Sequence, residues 1–179
     1  TKNQIDKIIS KSKSEKNVII LYTIVDKDLA KYIDGAAKKN KVPIFCPAIT
    51  DGSMGFQLYM FQQDNPEFIV DVVKDFSNIL FSVSQDDKKG IISLGGSISK
   101  HHAILAGVLN GGMDYAIYMT TARPTSGSMS GATTNEAKSW GKVKDDSDVV
   151  TVVGDVTINF PLMMTAALEK LSREGLIDE

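Results

Sequence analysis

The sequence predicts an α/β fold of Rossmann-like type, with a largely parallel sheet flanked by helices. Three observations carry that expectation. Short apolar runs bounded by glycine, such as Gly90-Ile91-Ile92-Ser93-Leu94 before Gly95-Gly96, read as buried strands. Stretches with apolar residues at helical spacing, such as Ala103, Ile104, Ala106, Val108 and Leu109, lie between them. The two kinds of segment alternate, with no internal repeat and no low-complexity linker. At 179 residues, 42% hydrophobic and 23% charged, the chain is expected to form one domain, 1–179, with a real core.

Taken in order, Ile5, Ile8 and Ile9 recur at helical spacing, and Leu29, Tyr32, Ile33, Ala36 and Ala37 do so more clearly. Val42 to Phe45 reads as a short strand ending at Pro47, and Ser53 to Gln63 as a helix. Asn65-Pro66-Glu67 reads as a helix start, with Asn65 as the cap and the helix running through Phe68, Ile69, Val72, Val73, Phe76, Ile79 and Leu80. The strand at Gly90 to Leu94 leads into a helix capped by Ser97 or Ser99 and ended by Gly111-Gly112. Asp114 to Thr120 is the next strand, and Thr121 to Asn135 a polar loop. Val149 to Val153 is a further strand, and Thr157 to Leu171 a final helix with Pro161 tolerable only in its first turn.

The net charge of −2 gives no electrostatic case for nucleic acid or an anionic membrane. The one cysteine, Cys46, rules out an intrachain disulfide framework and suits a reducing compartment, so the cytoplasm is the expected location. No apolar run reaches a membrane span, Asn17 to Val25 being too short, and the lysine-rich start lacks signal-peptide organisation. Beginning at Thr1 rather than methionine points to a processed product or a chosen segment.

Ligands of such sheets gather at the carboxyl ends of the strands. One such end here is Gly95-Gly96 followed by Ser97 to His102, where glycine lets a backbone approach a ligand and a helix start favours an anionic group. His101 and His102 are the only histidines. Helical neighbours diverge by about 100°, so the pair cannot converge on a metal, and none is expected; one of them could serve as a general acid or base. A second end is the loop holding Ser126-Gly127-Ser128-Met129-Ser130-Gly131-Ala132, whose length favours a binding role over a plain connection. A third is Gly154-Asp155, where an acid is either a partner for ribose hydroxyls or a helix cap.

Lys142 closes the run Glu136-Ala137-Lys138-Ser139-Trp140-Gly141-Lys142. Read as extended chain, the run points Trp140 and Lys142 to one face. A lysine beside an indole and near a carboxylate is either an ordinary surface residue or one desolvated enough to present a free amine, which attacks a carbonyl or exchanges onto an imine.

Thr50-Asp51-Gly52-Ser53, Gly95-Gly96 with Lys100-His101-His102, Asp114-Tyr115-Ala116, Gly127-Ser128 with Ser130-Gly131-Ala132, Glu136-Ala137 with Ser139-Trp140-Gly141-Lys142, and Asp155 with Phe160-Pro161-Leu162 together resemble the deoxyhypusine synthase family. The resemblance covers Lys38 to Leu171, with residues 1–37 a variable helical lead-in, and makes the chain the carboxyl-terminal, lysine-bearing half of that fold. It implies NAD-dependent dehydrogenation of spermidine and transfer of the aminobutyl group through a lysine imine to a lysine of translation initiation factor 5A. By resemblance Lys142 carries the imine and His101 assists proton transfer. Trp140 packs on the polyamine, Glu136 holds an amine, and Gly127, Ser128 and Met129 form the polyamine loop. Asp51, Gly96, Thr121, Ala122, Asp155 and Val156 fall where the family contacts NAD.

Phe56 and Met129 stand where well-known eukaryotic members have acids, Leu105 where they have an amide, and Ser126 where they have an acid in the cofactor loop. Fewer anions weaken the hold on a polycation, so a homologue using another amine is one alternative, and a silent regulatory subunit is a second, although Lys142, Trp140, Glu136 and His101 all remain. A plain nucleotide-binding domain leaves the Trp140–Lys142 pairing unexplained. The family's chain is about twice as long, so the resemblance also implies an amino-terminal partner chain, in a two-chain or processed enzyme, and a homo- or hetero-tetramer.

Overall fold

The computed structural model describes residues 41–177, together with 20–21, 35 and 37–39. The architecture is α/β with parallel strands, Rossmann-like in character, as the alternation of segments predicts. The chain divides into two compact units, one built on Lys2–Asp87 and Ile98–Gly111, the other on Lys88–Ser97 and Gly112–Glu179.

In the first unit, β1 (Ile20–Leu21) pairs in parallel with β2 (Ile44–Phe45). The helical periodicity around Ile5 lies outside the described residues, as does most of that from Leu29, of which Gly35, Ala37, Lys38 and Lys39 are helical. Helices α1 (Ser53–Asp64) and α2 (Val72–Phe81) follow, and most of α3 (Ser97–Leu109) belongs to the same unit. Phe45, Ile79 and Ala106 form its buried centre, with Phe76 and Leu80 packed against them. Asn110, buried at the end of α3, satisfies its amide by donating to the carbonyls of Leu80 and Ala106, both at 3.1 Å.

The start of α2 corrects the expectation for Asn65. Asp71 is the cap, its carboxylate accepting the Lys74 N–H at 2.8 Å. Asn65 instead ends α1, and its side chain donates to Phe61 O at 2.9 Å. Pro66 disfavours helical backbone at the residue before it, which turns Asn65 from a beginning into an end.

In the second unit β3 (Gly90–Leu94), β4 (Met113–Thr120) and β5 (Val143–Val153) form a parallel sheet in that order. The central strand, β4, is buried at Met113, Asp114, Ala116 and Tyr118 to Thr120, as a strand with neighbours on both sides should be. A short helix, α4 (Thr134–Ser139), precedes β5, and α5 (Val156–Arg173) follows it. Pro161 sits beyond the first turn of α5, contrary to expectation, and the helix continues past it. The carbonyl that its missing N–H leaves over is that of Thr157, an exposed residue near the helix start where water can bond it.

Strand β5 also begins six residues before the expected Val149, because its first half is polar. Met113 pairs with Val143 and Tyr115 with Asp148, so two steps along β4 match five along β5. The surplus residues, Lys144 to Ser147, leave the ladder as a bulge.

Asp114 fastens the amino-terminal edge of this sheet. It is 7% exposed and accepts from Lys144 Nζ at 2.8 Å, from the Lys89 N–H at 2.9 Å and from Lys88 Nζ at 3.3 Å. One carboxylate of β4 thereby reaches the residue before β3 and the bulge of β5. These donors hold its pKa far below the usual carboxylate range, the Lys144 hydrogen bond contributing most. A depressed pKa stabilises the fold above the unfolded value of about 3.9, and the contribution fades as pH falls below it. Asp114→Ala is expected to lower the unfolding free energy by about 1–3 kcal/mol at pH 7 and to flatten the acid limb of stability against pH, both read from urea titrations between pH 2 and 7.

Candidate active site

The carboxyl-terminal edge of the three-stranded sheet collects the residues expected to contact a cofactor, Asp51 excepted. Gly95 N–H donates to Met119 O at 2.7 Å and Gly154 N–H to Thr120 O at 3.0 Å, so the strands remain bonded to their last residues. Gly96, Thr121 and Ala122, and Asp155 and Val156 leave from β3, β4 and β5 in turn, on adjacent strands. Asp155 caps α5, its Oδ1 accepting both the N–H and the hydroxyl of Thr157, at 2.7 and 2.6 Å, which lower its pKa. Thr121 is exposed, and the Ala122 N–H donates to Thr120 Oγ1 at 3.1 Å.

Glycine at 96 has a packing reason. A Cβ there would lie 2.5 Å from the Cβ and Oγ of Ser130, and Ser130 Oγ accepts the Ser97 N–H at 2.9 Å. The loop from Gly127 to Ala132 is thus seated on the start of α3. It is closed by turns, Gly131 N–H donating to Ser128 O at 3.1 Å, with Gly127 in the left-handed region at φ +68°. Gly127 and Ser128 are exposed and Met129 half-buried.

Lys142 is placed by the end of α4. Trp140 is the last, half-helical residue, and Gly141 follows in the left-handed region at φ +66°. Gly141 N–H donates to Lys138 O at 2.9 Å and Lys142 N–H to Ala137 O at 3.0 Å, which is a Schellman ending. The run from Glu136 to Lys142 is therefore helix and turn rather than the extended chain considered above, because Thr133 caps a helix there by accepting the Glu136 N–H at 3.2 Å. Trp140 and Lys142 still meet: Lys142 Nζ lies 4.4 Å from the indole centroid, a cation–π distance. The same nitrogen lies 3.6 Å from Met129 Sδ. Burial lowers the pKa of Lys142, opposed by the negative charge of Glu136. The geometry can present an amine with a reduced proton affinity beside an aromatic face, a thioether and one exposed carboxylate.

Two predicted residues belong to the other unit. Asp51 is exposed in the bend before α1, and His101 is exposed in α3. Its neighbour His102 packs against Phe76 with ring centroids 5.2 Å apart, and burial pulls its pKa down. The two histidines diverge as their helical spacing requires.

Sequence reasoning passed over Thr133 and Thr151 and gave Ser130, though part of the quoted loop, no role of its own. Thr133 could have been found, since Thr133-Thr134-Asn135-Glu136 has the spacing of a capping box. Thr151 Oγ1, on β5, accepts the Thr134 N–H at 3.0 Å, and Ser130 fills the space at Gly96. Both contacts span loops and leave no local sequence signal.

A sequence profile described as deoxyhypusine synthase matches residues 2–167 of this chain. The chain belongs to the deoxyhypusine synthase family. Relatives named as probable deoxyhypusine synthases agree: that of Methanocaldococcus jannaschii is 45% identical over 135 residues, covering 74% of this chain and 41% of the relative. That of Methanopyrus kandleri is 42% identical over 136 residues, 76% of this chain and 46% of the relative. That of Thermoplasma acidophilum is 38% identical over 168 residues, 92% and 53% respectively. This member of the deoxyhypusine synthase family thus spans about half the length of the curated relatives it matches.

Two substitutions test the lysine's setting. Gly141→Ala meets no atom within 4 Å, so its cost is conformational, about 1–2 kcal/mol, read by denaturation together with a changed emission of the sole tryptophan, Trp140. Met129→Glu puts a carboxylate beside Nζ and is expected to raise the pH at which Lys142 loses its proton, measured as the midpoint of residue-resolved amine labelling against pH.

Proposed function

We propose that this chain carries the lysine-bearing half of a deoxyhypusine synthase-type transferase, acting in the cytoplasm on spermidine or a related amine and on a translation initiation factor 5A-like acceptor protein. The observation that carries the reading is the Lys142 amine, held over Trp140 and against Met129, with its proton affinity lowered by burial.

In this reading Nζ of Lys142, once deprotonated, attacks the imine carbon of the oxidised amine. The addition gives a tetrahedral aminal; proton transfer from the lysine nitrogen to the diamine nitrogen then lets the bond to the diamine break, leaving the aminobutyl group as an imine on Lys142. The acceptor's lysine displaces Lys142 by the same exchange. Trp140 covers the aliphatic stem or the distal cation, Glu136 binds an ammonium, and Gly127, Ser128 and Met129 bound the substrate from the loop side. His101 carries protons during the exchange.

Bound NAD would supply the hydride acceptor for oxidising the amine and the hydride donor for reducing the final imine. Asp51, Gly96, Thr121, Ala122, Asp155 and Val156 are the residues proposed to hold it. The edge of the sheet unit suits such a group: Gly95 is in the left-handed region with nothing within 4 Å of where a Cβ would be, and α3 and α5 both begin there. Chain beyond these 179 residues, whether a separate amino-terminal partner or more of one longer polypeptide, completes the site within a tetramer. Support comes from the length of the relatives and from Ile92, Leu94, Val150, Val153, Ile158 and Leu162, apolar residues exposed in the sheet unit.

A second reading, use of an amine other than spermidine, is favoured by the thioether of Met129 at the lysine amine and by Phe56 and Leu105, both exposed. These three side chains offer no charge to a polycation. The decisive measurement combines this chain with its complementary half, NAD and labelled spermidine or putrescine, followed by borohydride trapping. A labelled adduct on Lys142, absent in Lys142→Ala with NAD binding retained, is the expected result, and the amine that gives it chooses between the readings. No adduct with either amine overturns both.

A further inference from the structure

Helix α4 has only six residues, too few to be stable without tertiary support. Its first turn is tied to β5, where the Thr134 N–H and hydroxyl meet Thr151 Oγ1 at 3.0 and 3.1 Å. Its last turn is tied differently. Lys138 Nζ donates to the carbonyl of Asp145 and to that of Ser147, both at 2.9 Å. Both acceptors lie in the bulge of β5, where carbonyls have left the ladder and need donors. The bulge is braced from within by Ser147 Oγ, which donates to Lys144 O at 2.5 Å.

The peptide unit joining Ala137 to Lys138 is the one that holds Lys142. Ala137 O accepts the Lys142 N–H at 3.0 Å, Lys138 O accepts the Gly141 N–H at 2.9 Å, and on the far side Met113 N–H donates to Lys142 O at 3.3 Å. A continuous path therefore runs from the bulge carbonyls through the Lys138 side chain and the last turn of α4 to the backbone of Lys142.

We propose that Lys138 is a positioning residue for Lys142: by clamping the end of α4 to the β5 bulge it fixes the turn that sets the Lys142 amine over Trp140 and beside Met129. Lys138 itself meets no substrate in this role. The inference rests on the reading of Lys142 as the reacting amine only for its functional meaning, since the positional claim concerns the chain alone. Losing the clamp lets α4 lift at its last turn and moves the Lys142 amine out of its half-buried setting, toward water.

The test uses Lys138→Met, which keeps most of the stem and removes both donors, and Lys138→Arg, which restores donors. The readouts are residue-resolved labelling of Lys142 with an amine-reactive reagent across pH, emission and acrylamide quenching of Trp140, and thermal unfolding. Lys138→Met is expected to slow Lys142 labelling at pH 7 by about threefold or more as the labelling midpoint rises, and to increase quenching of Trp140. Lys138→Arg is expected to return both towards the parent. If Lys138→Met lowers the melting temperature but leaves the labelling midpoint and the quenching of Trp140 unchanged, Lys138 is merely structural and the proposal fails. Should Lys138→Met not fold, Lys138→Arg decides alone: parental labelling supports the clamp, and a labelling profile like that of free lysine overturns it. None of these readouts needs transferase turnover, so a failed adduct experiment and a failed clamp experiment remain distinguishable.

Discussion

The carboxylate of Asp114 is the constraint on which the sheet unit depends. A parallel sheet has no hairpins to set its register, so something must fasten its strands at one edge. Asp114 does so from the central strand, taking a backbone N–H beside β3 and a lysine amine from the β5 bulge. With the amino-terminal edge fastened, the opposite edge is free to open into loops. Gly96, Thr121 and Asp155 all lie on that opposite edge, one per strand. These residues, proposed to hold a cofactor, thus leave the end opposite Asp114, whereas Lys142 enters beside the fastened end, its carbonyl accepting the Met113 N–H.

The lysine's setting is built from backbone geometry more than from side-chain attraction. Gly141 adopts a conformation that a side chain would resist, and this reverses the chain within one residue. The reversal brings residues 140 and 142 together at the end of a helix, where an extended strand would have done so by pleating. The amine is then surrounded by groups that tolerate its neutral form: a π face and a thioether. Among the described residues the opposing charge is that of Glu136, which is exposed and whose effect water weakens.

Much of the fold was legible because it is local. The strand at Gly90, the helix from Ser97 and the strand ending at Thr120 announce themselves through apolar period and glycine boundaries. The errors have local causes as well. Asn65-Pro66 carries the letters of a helix start, yet Asp71 was the better cap, and only the hydrogen bond to Lys74 decides between them. The first half of β5 was hidden because Lys144 to Asp148 is polar, and a bulge has no apolar alternation to detect. At the candidate site, the sequence pairs Lys142 with Trp140 on the premise of extended chain, whereas a helix end and a left-handed glycine bring them together. The seat of Ser130 at Gly96 and the tie of Thr134 to Thr151 could not be read, since each joins segments well separated in sequence.

The bulge of β5 has a consequence for how such a chain can vary. Its residues lie outside the ladder, so the number of residues between Val143 and Asp148 can change without shifting either strand against its neighbour. The same few carbonyls receive the Lys138 side chain. An insertion or deletion there would leave Gly96, Thr121 and Asp155 in place at the far ends of the strands and still alter the footing of the helix that carries Trp140. Loop length becomes a dial on amine reactivity, one that evolution or an engineer can turn without touching the chemistry.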